Sequence, residues 1–395
     1  MTETLYWIWL SQRPGLGPVR VRKLLELVGD PGTLYAADGE TLARLGLPKA
    51  ACETLLDKDP ARAEATLEAC ARLEIRVLTL ASEDYPAPMR LTPDAPAVLY
   101  CRGRLPVSGK QPWIGLVGSR QADARGLELA RRFGAEIAAC GGVVVTGMAK
   151  GVDAAATAGA LDQGCPAVGV LGGGVDVVYP RENKELFASM ARHGCLLSEY
   201  PPGTRPDARH FPARNRIISA LSDGVVVIQA AEGSGALITA RWAAEQGRDV
   251  FSVPGPAGEA LSRGCNQLLR DGARLVESGQ DVMREYLYRY PGAVRIQNAT
   301  CSMQNEGTEN RAPGAEKEKR SGAHRCAAGQ RPPTEGLTPE QRAIVDALAE
   351  GPLQLDALID RTGLPASRVL PQLTVLQIKK ILRQLPGKIY ECSGG

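Results

Sequence analysis

The residues best suited to chemistry lie in three short turns and one denser run. Gly118-Ser119-Arg120, Gly172-Gly173-Gly174 and Gly233-Ser234-Gly235 each follow an apolar run, and His210-Phe211-Pro212-Ala213-Arg214-Asn215-Arg216 brings two arginines and an aromatic ring close together. Glycine admits close approach of a ligand. Amides that open a helix attract an anion, and a guanidinium fork matches phosphate. The chemistry on offer is the holding of phosphate, and several such turns suit a polyphosphate chain as readily as one nucleotide. Ser234 fits a phosphate contact or the cap of the following helix, and the two roles are compatible. Arg181 and Lys184, just beyond the triple glycine, are either phosphate contacts or a solvated face. Phe211 offers its ring to a base while Arg214 and Arg216 hold the backbone, or it belongs to the core.

Catalysis finds little support. There is no Gly-x-Ser-x-Gly elbow, no Walker lysine motif and no His/Cys pair, and Gly118 does not begin a full G-x-G-x-x-G fingerprint. Asp153, Asp176 and Glu199 lie near turns, where carboxylates more often bond amides or pair with arginine than move protons. Three histidines and ten cysteines without a C-x-x-C pair argue against a metal site or a disulfide framework, and the thiols fit a reducing cytosol. No catalytic set, metal or cofactor is expected. The net charge of +3 means that nucleic-acid binding must rest on a local patch, and 5% aromatic residues argue against a large stacking platform. No apolar stretch is long enough to span a bilayer, and Met1 to Leu10 lacks the pattern of a secretory signal. A cytoplasmic location without membrane attachment is expected.

The elements that must position these turns are legible in the apolar runs. Ile114–Val117, Val143–Val145, Val168–Leu171 and Val225–Ile228 each lead into a glycine-bearing turn. Repeated strand–turn–helix units imply a parallel sheet with helices on both faces. Its ligand site lies at the carboxyl ends of the strands. Strands are expected at 113–117, 142–146, 166–171, 195–198, 224–229, 249–253 and 273–276, with helices at 126–139, 152–163, 183–192 and 236–246.

The α/β core is expected over residues 106–290. Residues 1–80 read as a helical unit; Pro14-Gly-Leu-Gly-Pro18 resembles a helix-hairpin-helix turn weakly and fits a plain packing unit better. A proline-rich connector with short strands follows at 81–105. From Gln297 to Gly336 no Ile, Leu, Val, Phe, Trp or Tyr occurs, so 291–336 is expected to be a disordered linker. Limited trypsin is expected to cut first at Lys317, Lys319 and Arg320 and to leave a stable core ending near residue 290; fragments that retain this stretch uncut would contradict the expectation. Residues 337–395 become periodic again, with two helices, the turn Thr362-Gly-Leu-Pro365, a third helix from Ser367 to Leu376 and the hairpin Leu385–Tyr390. This is a winged-helix outline. Arg368 is the only cation on its third helix, while Lys379, Lys380 and Arg383 cluster after it, so contact with a partner and contact with DNA both stay open.

Taken in order, these motifs resemble a family. Val117-Gly-Ser-Arg120, Thr146-Gly-Met-Ala-Lys-Gly-Val-Asp-Ala-Ala-Ala156, Gly172–Pro180, Leu197-Ser-Glu-Tyr-Pro-Pro-Gly203, His210–Ser219, Ser252-Val-Pro-Gly255 and Ser262–Ala273 are similar to those of DprA, also called Smf, the DNA-processing protein of bacterial transformation. The resemblance implies an extended Rossmann-like parallel-sheet core between an N-terminal helical domain of sterile-alpha-motif type and a C-terminal winged helix. It implies a recombination mediator, not an enzyme, that binds and protects single-stranded DNA, dimerises through the Rossmann domain, and loads RecA while displacing single-strand-binding protein. The family's DNA pocket maps onto Arg120, onto Arg181 or Lys184, and onto Phe211, Arg214, Asn215 and Arg216. Its surface for self-association and RecA contact maps onto the stretch holding Asn266, Gln267, Leu268, Leu269 and Val276.

The chain departs from the family pattern in places. Asp123 and Arg125 stand where a threonine and an aromatic are usual, Lys150 replaces an arginine, Thr157 a histidine and Gln229 a glutamate. Asp123 is expected to weaken DNA binding modestly. An alternative from the enzyme class is a nucleotide N-glycosidase-like hydrolase. Its usual Pro-Gly-Gly-x-Gly-Thr run is absent, and Glu232 precedes Gly233-Ser234-Gly235.

Overall fold

The apolar runs become the centre of one sheet. The computed structural model describes residues 1–296, 337–349, 351–378, 381–385 and 389–392, which fall into two compact units divided after Ile296. Six helices open the first: α1 (Glu3–Ser11), α2 (Pro18–Val28), α3 (Pro31–Ala36), α4 (Gly39–Arg44), α5 (Lys49–Leu56) and α6 (Ala61–Arg72). Prolines start α2 and α3, where a missing N–H costs nothing. Asp30 and Asp38 cap α3 and α4 by accepting from the amides of Thr33 and Thr41 at 3.0 and 2.9 Å. The buried Trp9, Leu34, Leu42 and Leu55 run without a break into the buried residues of the sheet.

The sheet has nine strands: β1 (Arg76–Thr79), β2 (Val98–Gly103), β3 (Trp113–Gly118), β4 (Val143–Thr146), β5 (Ala167–Val170), β6 (Cys195–Ser198), β7 (Gly224–Ile228), β8 (Asp249–Ser252) and β9 (Arg274–Leu275), in the order β1-β2-β6-β5-β4-β3-β7-β8-β9. All pairs from β6 to β9 are parallel. The first two strands join antiparallel, so part of the stretch read as a connector extends the sheet. The remaining helices are α7 (Ala87–Arg90), α8 (Ala124–Ala139), α9 (Val152–Asp162), α10 (Lys184–His193), α11 (His210–Leu221), α12 (Gly235–Glu245), α13 (Arg263–Arg270) and α14 (Gly279–Arg284). Alternation along the strands sends Val144 and Val226 to one face with Phe133 of α8 and Ala156 of α9. It sends Val143, Val145, Val225 and Val227 to the other with Ile217 of α11 and Ala240 of α12. Both faces are covered, as the near-continuous valine runs require.

Chain beyond residue 290 still packs on this unit: Val294 is buried, and the Arg295 amide donates to the Cys140 carbonyl at 3.0 Å. The rest of the expected linker, 297–336, lies outside the described residues.

The second unit contains α15 (Pro339–Leu348), β10 (Leu353–Gln354), α16 (Leu355–Thr362), α17 (Ala366–Ile378), β11 (Leu382–Leu385) and β12 (Ile389–Cys392). Thr338 and Gln341 cap α15 reciprocally. Ile344, Val345 and Leu348 pack with Leu358, Val369 and Leu373. The three strands pair antiparallel in the order β10-β12-β11, giving three helices and a small sheet in winged-helix arrangement. Arg368 is bound to Glu340 at 2.6 Å and Arg383 pairs with Glu391. Lys379 and Lys380 lie outside the described residues.

Candidate nucleic-acid interface

Strand order reverses at the neighbouring strands β3 and β7: the chain builds β4, β5 and β6 on one side of β3, then returns to add β7, β8 and β9 on the other. A crevice opens beyond the carboxyl ends of strands at such a reversal. Here it is a groove of about 720 Å³, with Gly118, Ser119 and Arg120 on one wall, Ser234 and Gly235 on the other, and Phe211, Arg214 and Asn215 of α11 between them. A smaller hollow of about 80 Å³ adjoins it, lined by Met148, Lys150, Gly172, Gly173 and Tyr179 among others. The groove thus unites residues from two of the three turns with the His210–Arg216 run, and the third turn, the triple glycine, reaches the hollow.

Arg120 is exposed and makes no ion pair among the described residues; its Cζ lies 4.9 Å from the centre of the Phe211 ring. The amide cradle expected around it is largely committed elsewhere. Ser119 N–H donates to the Gln229 carbonyl at 2.8 Å, and Gln121 N–H donates to Ser119 Oγ at 3.0 Å. Asp123 caps α8, accepting from Gly126 N–H at 2.8 Å and from Gln229 Nε2 at 2.8 Å. These bonds hold the Asp123 carboxyl below its usual range, the Gly126 amide foremost. The departure Asp123 therefore pairs with Gln229, another departure, and its charge faces the positive end of α8. Attraction for an anion at this turn rests on the Arg120 side chain and not on a vacant helix end. Gly118 itself is pressed into the fold: a Cβ there would stand 2.0 Å from the Ile228 carbonyl oxygen.

The triple glycine serves packing more than ligand approach. All three residues are buried. A Cβ on Gly173 would lie 2.9 Å from the Thr204 carbonyl, and one on Gly174 would lie 2.5 Å from Asp176 Oδ1. The 201–206 loop crosses directly over this turn, and the Gly174 amide donates to the Thr204 carbonyl at 2.9 Å. On the opposite wall, Ser234 Oγ accepts from Ala236 N–H at 3.3 Å, capping α12. Asn215 Nδ2 donates to the Gly235 carbonyl at 3.2 Å, tying α11 to that wall. Gly233 stands exposed at the turn.

The two arginines of the Arg-Asn-Arg run have different fates. Arg214 is 3% exposed and forms the groove floor. Its Nη1 donates to the carbonyls of Gly147, at 2.6 Å, and Val170, while its Nε is buried without a partner among the described residues. Burial pulls its pKa down to about 10, against the attraction of Asp153. Asp153 in turn accepts from the amides of Gly147 and Ala149 at 3.0 and 3.4 Å; burial pushes its pKa up while Arg214 holds it down. Arg214 is thus bound to protein carbonyls and supports the 147–150 loop.

Arg216 does not reach the groove at all. It is 7% exposed; its Nη2 bonds Glu199 Oε2 at 2.5 Å and its Nη1 donates to the Asp94 carbonyl at 2.9 Å. The expected backbone contact by Arg216 is corrected to a buried ion pair that joins α11 to the segments around residues 94 and 199.

Phe211 is half-buried in the groove wall, stacked with Tyr179 at 5.6 Å between centroids and an interplanar angle of 28°. It is therefore not a core residue. Arg181 and Lys184 are exposed just beyond Pro180, which lines the hollow, but neither lines the groove. The nearer lysine is Lys150, paired with Glu182 at 2.5 Å. Tyr179 and Lys150 are among the lining residues to which the sequence pattern assigned no binding role. A loop tyrosine beside a glycine run was the available signal for the first, and a lysine flanked by glycine for the second.

The three carboxylates near the turns are bonded within the fold: Asp153 accepts from backbone amides, Glu199 pairs with Arg216, and Asp176 accepts from Gly203 N–H at 2.9 Å. No cluster of three metal-ligating side chains occurs among the described residues, and no described helix is long and apolar enough to cross a membrane.

At the far edge of the sheet, Asn266 clamps Gly255, donating to its carbonyl at 2.9 Å and accepting from its amide at 3.2 Å. Val276 is 3% exposed and lies in the core, which corrects its expected role as a contact residue. Leu268 and Leu269 are half-buried, while Gln267 is exposed and Leu275 of the edge strand β9 is 57% exposed.

The model of the family described as DNA recombination-mediator protein A matches residues 76–287, and that of the DprA winged helix domain matches 328–388. The chain is 38% identical to DNA processing protein DprA of Bacillus subtilis over 246 residues, covering 62% of this chain and 83% of the relative. It is 31% identical to protein Smf of Synechocystis, covering 99% of both chains. Among solved structures, DprA of Streptococcus pneumoniae superposes with a TM-score of 0.64 at 35% identity, over 72% of this chain and 98% of that one. DprA of Helicobacter pylori, described for its single-stranded DNA binding mode, gives 0.50 at 30% identity over 55% and 97%.

Proposed function

The chain belongs to the DNA recombination-mediator protein A (DprA/Smf) family, and we propose that it binds single-stranded DNA in the groove beyond β3 and β7 as a recombination mediator, not an enzyme. The observation that carries this reading is the exposed Arg120, without an ion pair among the described residues, at the head of an open groove whose other lining cation, Arg214, is fixed in the floor. A free guanidinium beside a stacked aromatic pair serves a sugar–phosphate chain with splayed bases. In this reading the bound strand is protected and handed to RecA in place of single-strand-binding protein during natural transformation. Two copies associate through the surface of α13 and β9, where Gln267 and Leu275 are presented. The protein works in the cytoplasm.

Phosphate contacts should dominate affinity. Fluorescence anisotropy across a salt series should give a linear fall of log affinity with log salt, about 0.7 in slope per phosphate neutralised on a single strand. Contacts from Arg120, Arg181 and Lys184 would give a slope of about −2. Oligothymidylate should outcompete duplex of equal length. A salt-independent affinity or a preference for duplex would overturn the reading.

A further inference from the structure

We propose that the outer face of Tyr179 is the platform on which a DNA base stacks, with Phe211 as its backing; the proposal rests on the single-stranded-DNA reading of the groove. Phe211 is the aromatic that the sequence offers for this task, but its surroundings leave it little free surface. Tyr179 stacks with it at 5.6 Å, the Arg120 guanidinium sits 4.9 Å from its ring centre, and a Cβ on Gly172 would touch its Cδ1 at 3.1 Å. A base reaching Phe211 directly would have to displace the arginine or the tyrosine.

Tyr179 stands on the solvent side of this stack. It is 46% exposed, it lines both the groove and the adjoining hollow, and its hydroxyl has no hydrogen-bond partner among the described residues. The hollow beside the ring pair measures about 80 Å³, less than the roughly 150 Å³ of a cavity that accepts benzene, whereas the groove on which the exposed ring of Tyr179 also opens is about 720 Å³. The open groove side of the ring is thus where a base has room to stack. Arg120 and Tyr179 both flank Phe211, so a phosphate held by the first leaves a neighbouring base within reach of the second. Stacking of this kind tolerates any base, because each has a π-face.

The test uses the full chain, oligothymidylate, and an abasic oligonucleotide with the same backbone. Tyr179→Ala should keep the wild-type melting temperature, since the side chain is half exposed. Its affinity for oligothymidylate should drop roughly five- to hundredfold, while the abasic strand binds wild type and variant alike. Tyr179→Trp should restore binding. Emission of 2-aminopurine placed in the strand should be quenched by wild type and Tyr179→Trp but not by Tyr179→Ala. An alanine variant that binds oligothymidylate as tightly as wild type, or loses the abasic strand equally, overturns the proposal alone. A wild-type chain that binds no single-stranded DNA overturns the reading of the groove and this proposal with it.

Discussion

Arg216→Ala is expected to destabilise the fold by roughly 3–5 kcal/mol, the cost of breaking a buried pair from one side, and to leave the DNA affinity of the still-folded chain at the wild-type level. Arg216 and Glu199 are both shielded, with side-chain exposures of 8% and 15%, and the Asp94 carboxylate adds a second negative group 3.6 Å away. Removing the guanidinium leaves two carboxylates facing each other without a cation. Against a typical total of about 5–15 kcal/mol this is a large loss, visible as a lower melting temperature. Arg216→Lys keeps the charge beside Glu199 and supplies a folded variant should the alanine chain fail to fold. A pH series adds a second readout. Burial already holds Glu199 above the usual carboxylate range, opposed by Arg216, and without the arginine it rises further. A carboxyl with a raised native pKa takes up its proton more readily in the native than in the unfolded state. The stability deficit of Arg216→Ala should therefore shrink as pH falls from neutral toward the ordinary carboxylate value. A folded Arg216→Ala chain of normal stability that has lost DNA binding would place Arg216 in the interface and overturn the assignment.

The contrast between Arg214 and Arg216 marks how much the chain's pattern can tell. On a helix, residues two apart point away from one another, while residues three and four apart share a face. Phe211, Arg214, Asn215 and Ile218 follow that spacing and all line the groove; Arg216 falls opposite them. The helical register of α11 thus holds the information, but Pro212 hides where the helix starts and is tolerated because it stands in the first turn. The central strands were legible because burial on both faces demands unbroken valine runs. Short strands were legible in the proline-rich stretch that holds β2, but their place in the sheet was not, since the partner β6 lies about a hundred residues away in the chain, a pairing that no local pattern records. The triple glycine was legible as a special turn, yet its cause is the 201–206 loop lying across it, a tertiary contact.

Arg120→Glu is expected to abolish most single-stranded-DNA binding without unfolding the protein. The side chain is exposed and its visible partner is the Phe211 ring, a contact worth about 0.5–1 kcal/mol at such a site, so the melting temperature should barely move. The loss of a charge-assisted contact costs about 1.5–3 kcal/mol, and the introduced carboxylate adds repulsion against phosphate. Affinity should fall by roughly ten- to several-hundredfold. The salt slope should decrease in magnitude by about 0.7, one phosphate contact fewer on a single strand. Arg120→Lys should be intermediate, because an ammonium keeps the charge and loses the two-pronged fit. The surrounding geometry makes the effect specific to this side chain: the amides of Ser119 and Gln121 are already bonded and Asp123 occupies the helix end, so little else at the turn can replace the guanidinium. A folded Arg120→Glu chain that binds DNA as tightly as wild type, with an unchanged salt slope, would move the interface away from β3.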